Sequence, residues 1–417
     1  VLNSNFFFKI FEPVDGRMPT MGEALTAGKN SVSTSFDAIN NRKFLLLGDP
    51  ALQLNYPQYQ IVATEVNGTP VASGTDTLKA LAKVNIKGEI RDGGSLLSSF
   101  NGIVYPTIFD KPLTITTLEN DPATSNPYTF TEQSNVIYKG KASVTNGAFE
   151  FEFIVPKDIS YTFGNGKLSF YAENGVEDAG GYENNVIVGG ASDSAANDLS
   201  GPEVSVYMND ETFVFGGLTD ENPLLYIVLE DENGINTVGN GIGHDIMARI
   251  NDDDAGLELN DYYESDLDSY QSGKVSYPLY DLPAGRHAVR VEAWDVYNNS
   301  GEGYTEFVVA ESAELALDHV LNYPNPFTTN TEFWFEHNRP GDVLDVKVEI
   351  FTVSGKLIKT ILQQVSTDGY RVSGIGWDGL DNFGDPIGRG VYVYKISVRA
   401  LSDNAKVSVF EKLVVLR

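Results

Sequence analysis

Phe149-Glu150-Phe151-Glu152-Phe153-Ile154-Val155 sets an aromatic ring at every second position with a carboxylate between. Side chains of a strand alternate faces, so this spacing buries the rings and leaves the acids in water. Period-two or short apolar runs lie on both sides of it. They are Ile61 to Val66, Ala80 to Ile90 (with Leu81, Val84, Ile86 and Ile90 available for one core), Gly102 to Phe109 and Leu168 to Ala172. Turn signals such as Asn67-Gly68 separate them. Many short strands divided by turns predict a β-sandwich over residues 58–199.

The style continues downstream. Val204 to Met208, Leu224 to Leu229, Ile246 to Ile250 and Ala288 to Trp294 predict a second sandwich over 200–311 with Asp/Asn/Gly-rich loops. Phe333 to Phe335, Val346 to Phe351, Gly390 to Val398 and Val407 to Leu416 predict a third over 312–417, with a tight turn at Val353-Ser354-Gly355-Lys356. Boundaries are expected in the small, polar stretch from Gly189 to Asp198 and at Glu311-Ser312-Ala313-Glu314.

Residues 1–57 read differently. Phe6 to Phe11 is a candidate buried strand, Met21 to Val32 a helix, and Lys43 to Leu47 a second buried strand stopped by Gly48-Asp49-Pro50. Strand, helix, apolar strand is the pattern of a parallel sheet. One such unit cannot cover both sheet faces, so the expectation is the tail of an α/β domain. Val1 opens without a basic or apolar leader and reads as an internal position of a longer protein.

The 417 residues carry 29 Lys+Arg against 58 Asp+Glu, a formal charge of −29. Residues 200–311 alone hold 4 basic and 23 acidic side chains, whereas 312–417 hold 11 and 13. An acidic chain repels nucleic acid and anionic lipid, so neither is an expected general partner. No run of eighteen apolar residues predicts a membrane-spanning helix. The absence of cysteine removes disulfides, thiolate zinc sites and any cysteine nucleophile from this chain, and it is compatible with an extracytoplasmic location.

Chemistry-bearing groups are sparse. Asn251-Asp252-Asp253-Asp254-Ala255-Gly256 suggests calcium, but aligning Gly256 with loop position six puts Tyr262 where an EF-hand needs a glutamate. A different oxygen site using Asp252, Asp254, Asp261 and Asp266 stays open beside plain solvated loop charge. Asp378, Asp381, Asn382 and Asp385 read as turn residues. His244 stands beside Asp245 in a Gly-rich loop, yet no serine lies in a GxSxG elbow. His244, His287, His319 and His337 are therefore expected to be structural or surface histidines. No phosphate loop is present. Tyr262-Tyr263, Tyr277 and Tyr280 are either a sugar-binding platform or strand core and rim. No catalytic residue and no cofactor is expected, with calcium the one option left open.

Three segments carry a resemblance. Phe44 to Leu54, with its Gly48-Asp49-Pro50-Ala51-Leu52 element, and the helix around Gly22-Glu23-Ala24-Leu25 resemble the end of gingipain-type C25 cysteine peptidase domains, which have a caspase-like α/β fold. Asp231 to Thr237, Gly241 to Asp245 and Ala293 to Asn299 resemble the post-catalytic region of type IX secretion sortases. Tyr323-Pro324-Asn325-Pro326-Phe327, Trp377-Asp378-Gly379 and Gly390 to Tyr394 resemble FlgD-like sorting domains. The resemblance implies a mainly β chain: a caspase-like remnant over 1–57, then tandem immunoglobulin-like sandwiches over 58–199, 200–311 and 312–417. It implies the outer face of a bacterial outer membrane. In this family the peptidase removes the C-terminal signal of secreted cargo and transfers the cargo to lipopolysaccharide, and the β-barrel PorV is a partner, here expected on 312–417. The family's catalytic cysteine and histidine precede the GDPAL element, so none carries over. The alternative is a secreted peptidase or adhesin cargo that uses the last domain for export.

Overall fold

The computed structural model describes residues 2–32, 41, 43–74, 76–118, 127–195, 197–237, 243–251, 253, 255–310, 315–366 and 369–416. The chain divides into two units, 1–59 and 60–417.

The first unit corrects the parallel-sheet expectation. Phe6 to Phe11 does not form a buried strand: Leu2–Ile10 is a helix, with Phe7, Phe8 and Phe11 more than half exposed. A helix satisfies its own backbone, whereas a buried strand needs a hydrogen-bonded neighbour. No strand stands beside it among the described residues of this unit. Lys43 to Leu47 fails for the same reason: it is irregular, and Leu47 is 95% exposed. The expected helix does form, as Met21–Asn30. Thr20 and Glu23 close a capping box at its start, and Arg17 donates to Glu23 Oε2 at 2.8 Å. The Gly48-Asp49-Pro50-Ala51-Leu52 element is a turn that docks on this helix end. Gly22 N donates to Pro50 O (2.9 Å) and Met21 N to Leu52 O (2.8 Å). A Cβ on Gly22 would meet Pro50 at 2.9 Å, so the close approach requires glycine.

Among its described residues the second unit has only strands as regular elements, apart from two single-turn 3₁₀ helices. The aromatic alternation of the opening stretch holds: Ala148–Ile154 is a strand, with Phe149, Phe151 and Phe153 buried and Glu150 and Glu152 outside. Its rings and Tyr138 form a stacked ladder with centroid separations of 4.4 to 6.4 Å. The sheet of the first sandwich closes on itself. Tyr59–Val66 pairs with Lys83–Asp92, and the remaining neighbours complete the ring through Asp178–Glu183, Lys167–Glu173, Gly102–Phe109, Ala142–Thr145 and Ala148–Ile154.

Two details differ from expectation. Ala80 to Ile90 is not one strand. Leu81 has φ +61°, is only half-buried, and separates Leu78–Ala80, in a small second sheet, from Lys83–Asp92. Gly189 to Ala191 is not linker but the end of strand Ile187–Ala191, which runs parallel to Leu78–Ala80. Its glycines take positive φ (+147° and +72°) at a register shift, and a Cβ on Gly189 would meet Thr162 O at 2.7 Å.

The second sandwich faces a four-stranded sheet against a five-stranded one over Leu225, Ile227, Leu229, Val275, Val289, Val291 and Phe307. In the third, a three-stranded sheet faces a four-stranded one over Phe327, Phe333, Phe335, Val348, Ile350, Trp377, Tyr394 and Ile396. The expected turn after Phe351 forms, with Gly355 at φ +86°. The second expected boundary, 311–314, lies outside the described residues. Among the described residues no helix is long and apolar enough to cross a membrane.

Candidate functional site

The seam between the first and second sandwiches gathers the described polar groups with the most chemistry. Asp231-Glu232-Asn233-Gly234 makes a turn in which Asp231 Oδ1 accepts the amides of Asn233 (2.8 Å) and Gly234 (2.9 Å). Asp295 organises a second turn, its Oδ1 accepting the amides of Tyr297 (2.9 Å) and Asn299 (2.7 Å). Short acidic side chains fold their own backbone in this way. The turns join where Val296 N donates to Gly234 O at 3.1 Å.

The first sandwich reaches this junction through the loop after Ala148–Ile154. Lys157 N donates to Val296 O (2.9 Å). Asp158, largely buried, then accepts three side chains of the second sandwich: Asn298 Nδ2 (2.7 Å), His244 Nδ1 (2.8 Å) and Asn236 Nδ2 (3.2 Å). His244 also packs on the Trp294 ring, 4.5 Å between centroids. Its acidic partner is thus Asp158, not its neighbour Asp245, and no hydroxyl nucleophile is among these contacts. Lower on the seam, Asp268 takes the amide and hydroxyl of Ser143 (2.6 and 2.7 Å).

Asp198, Asp231 and Asp295 bring carboxylate oxygens within 4.8 Å of one another. Burial comes first among the causes that raise Asp231, to about 6, and Asp295. Burial also pushes Asp198 upward, but hydrogen bonds from the Ser200 amide, Asn233 and Asp295 outweigh it and hold Asp198 low. Like charges this close cannot all ionise without a proton or a cation between them. A hard divalent ion takes oxygen ligands of this kind.

The sign for pH follows. Between its unfolded value near 3.8 and about 6, folded Asp231 keeps a proton that the unfolded chain has lost. Its contribution therefore falls as pH rises through that window. Buried His337, lowered to about 4 by desolvation, works oppositely, losing stability as pH falls. The measurement is thus the difference in melting temperature between the chain and Asp231→Asn from pH 4 to 8 in chelator. The unmodified chain is expected to lose ground relative to the variant between pH 4 and 6. Millimolar calcium restores it at pH 7.5 if these oxygens take the ion, and leaves it unchanged if a proton alone serves.

Of the calcium candidates read from sequence, the described pair, Asp261 and Asp266, lines one groove at the edge of the second sandwich. Asp252 and Asp254 lie outside the described residues, Asp261 is exposed, and Asp266 accepts Ser272 Oγ at 2.7 Å. The other histidines sit in structural contacts. His287 bonds Asn251 and Pro283 O, His319 meets Glu336, and His337 Nδ1 accepts the Arg339 amide. Tyr263 is buried, while Tyr262 and Tyr280 are exposed. Asp158 and Asp198 were not singled out by sequence reasoning. They stand in no motif, and only folding brings them to the turns around Asp231 and Asp295.

The third sandwich brings its motif residues together as well. Asn325 brackets the last strand, Lys406–Val415, accepting from Val414 N (3.0 Å) and donating to Lys412 O (3.1 Å). Phe327 exchanges backbone bonds with Val414 and Leu416, and its buried ring meets Trp377 at 5.5 Å. Asp378 and Asp381 accept backbone amides in the loop that follows Trp377.

Residues 1–55 match the model of peptidase family C25. Over 98% of its length the chain is 32% identical to the crystal structure of dimeric latent PorU from Porphyromonas gingivalis, with a TM-score of 0.41, and it spans 39% of that chain. It is also similar to a tetra-tandem repeat in the extending region of a large adhesion protein (14% identity, 86% of this chain and 74% of that one, TM-score 0.18). A further similarity is to the FN1–FN3 domains of chicken CNTN1 (12% identity, 79% and 94%, TM-score 0.20). No curated protein matches.

Proposed function

Related to peptidase family C25 through its first 55 residues and to the C-terminal part of PorU along nearly its whole length, the chain is, we propose, the non-catalytic scaffold and tether of a cell-surface sortase. On this reading the parent enzyme cleaves the C-terminal signal of type IX secretion cargo and transfers the cargo to lipopolysaccharide on the outer face of the outer membrane. The chain itself contains no cysteine and so supplies no thiol to that reaction.

The observation that carries the reading is the first unit. Its match to the peptidase family covers only residues 1–55, and its apolar side chains are uncovered: Phe8 is 74% exposed, Leu45 78% and Leu47 95%. Exposed apolar groups in such number mark a surface that another part of a protein covers. The remainder of a peptidase domain is that part in this proposal.

The tether is assigned to residues 312–417. Their near balance of 11 basic and 13 acidic residues suits approach to an anionic membrane surface better than the 4 and 23 of residues 200–311. The proposed partner is the outer-membrane barrel PorV. A pull-down tests this: the full-length parent is expected to retain the barrel, and deletion of 312–417 to lose it. Recovery of the barrel by the deleted protein would remove the assignment. The alternative, exported cargo, predicts that the last domain is cut off during maturation. Intact mass of the surface protein separates the two, because a sortase keeps the domain.

A further inference from the structure

A groove of about 460 Å³ runs along the same seam, apart from the carboxylate group at Asp198, Asp231 and Asp295. Its size is that of a small-molecule site, and such sites favour junctions between domains. One wall comes from the first sandwich, at Lys139 and Lys141. The other is the outer surface of the second sandwich, where Tyr263–Ser265 is the edge strand of its sheet.

Charge narrows the ligand. Three lysines, Lys139, Lys141 and Lys274, and three acids, Asp261, Glu264 and Asp266, share the lining, with Lys274 held by Glu211 at 2.8 Å. The lining therefore favours neither a net anion nor a metal ion. It offers donors and acceptors side by side: Lys141 Nζ lies 2.5 Å from Glu264 Oε2, and Glu264 stands opposite Lys274 in the strand register. A ligand with many hydroxyl groups, each both donor and acceptor, can use both kinds.

Two rings complete the lining. Tyr262 is 44% exposed and is braced edge-to-face by Tyr277, with 4.7 Å between centroids at 81°. Tyr226 is fixed by its hydroxyl, which donates to Glu211 Oε1 at 3.2 Å. Rigid aromatic surface beside matched polar groups gives contact area at low entropic cost. We propose that this groove is a binding site for a neutral glycan, with Tyr262 as the ring against which a sugar lies. The inference goes beyond the sortase reading and does not depend on it.

The test uses the full chain and saturation-transfer NMR. The probes are neutral oligosaccharides of gluco, manno and galacto configuration, the deacylated glycan of lipopolysaccharide, and inorganic phosphate. At least one glycan is expected to receive transfer, phosphate is not expected to compete, and Tyr262→Ala is expected to weaken binding at least tenfold with an unchanged melting temperature. Lys139→Ala, at an exposed position, serves as the second variant should Tyr262→Ala misfold, and is expected to weaken binding severalfold. Silence across all glycans, equal transfer in both variants, or displacement by phosphate would overturn the proposal.

Discussion

Asp158→Ala is expected to split the melting of the β unit, so that the first and second sandwiches unfold separately. One carboxylate accepts from Asn298, His244 and Asn236 across the seam, and it is largely buried. Truncation removes the acceptor that those three groups share across the seam. Hydrogen bonds to a charged group are worth about 1.5–3 kcal/mol each, and they do not add fully, so roughly 3 kcal/mol of coupling should vanish. Asp158→Asn keeps the shape with weaker acceptors and is expected to fall between. Differential scanning calorimetry reads the split, and limited proteolysis reads the opened seam. An unchanged single transition in Asp158→Ala would mean that Ser143–Asp268 and the Lys157–Val296 backbone bond hold the seam without it.

Trp377→Ala is expected to open the third sandwich while the first two stay folded. Trp377 is buried, packs on Phe327 and Phe333, and donates Nε1 to Leu380 O at 2.9 Å. Losing so large a core ring costs about 3–5 kcal/mol, much of the stability of a domain this size. The loop from Asp378 to Asp385 and the seat of Phe327 lose their support together. Protease should cut after residue 315 early, while residues 60–310 persist. Phe383→Ala, in the same loop but 91% exposed, is expected to change stability by less than about 0.5 kcal/mol. Equal protease resistance of Trp377→Ala and the unmodified chain would contradict the assignment of Trp377 as the keystone of this core.

Much of the β architecture was legible because period two is a local property. Phe149 to Phe153 needs no partner to announce which face is dry, and Val346 to Phe351 and Gly390 to Val398 behave alike. Apolar runs without a period were not legible. Phe6 to Phe11 became helix and Lys43 to Leu47 irregular, since a continuous apolar run does not say whether a sheet stands beside it. Gly189 to Ala191 looked like linker by composition, yet glycine also serves where a strand must shift register. The seam was half visible. The turns at Asp231 and Asp295 could be read from their Asn and Gly neighbours, but Asp158 and Asp198 enter from distant parts of the chain, and only the tertiary fold places them there.

Asn325 and Phe327 occupy the outer rim of the final strand along its last third, filling the backbone positions that a neighbouring molecule would need in order to zip on. An edge strand covered in this way carries its own stopper against growing side by side into fibres. Loosening the Asn-Pro-Phe segment should therefore show itself first as aggregation, before any loss of fold.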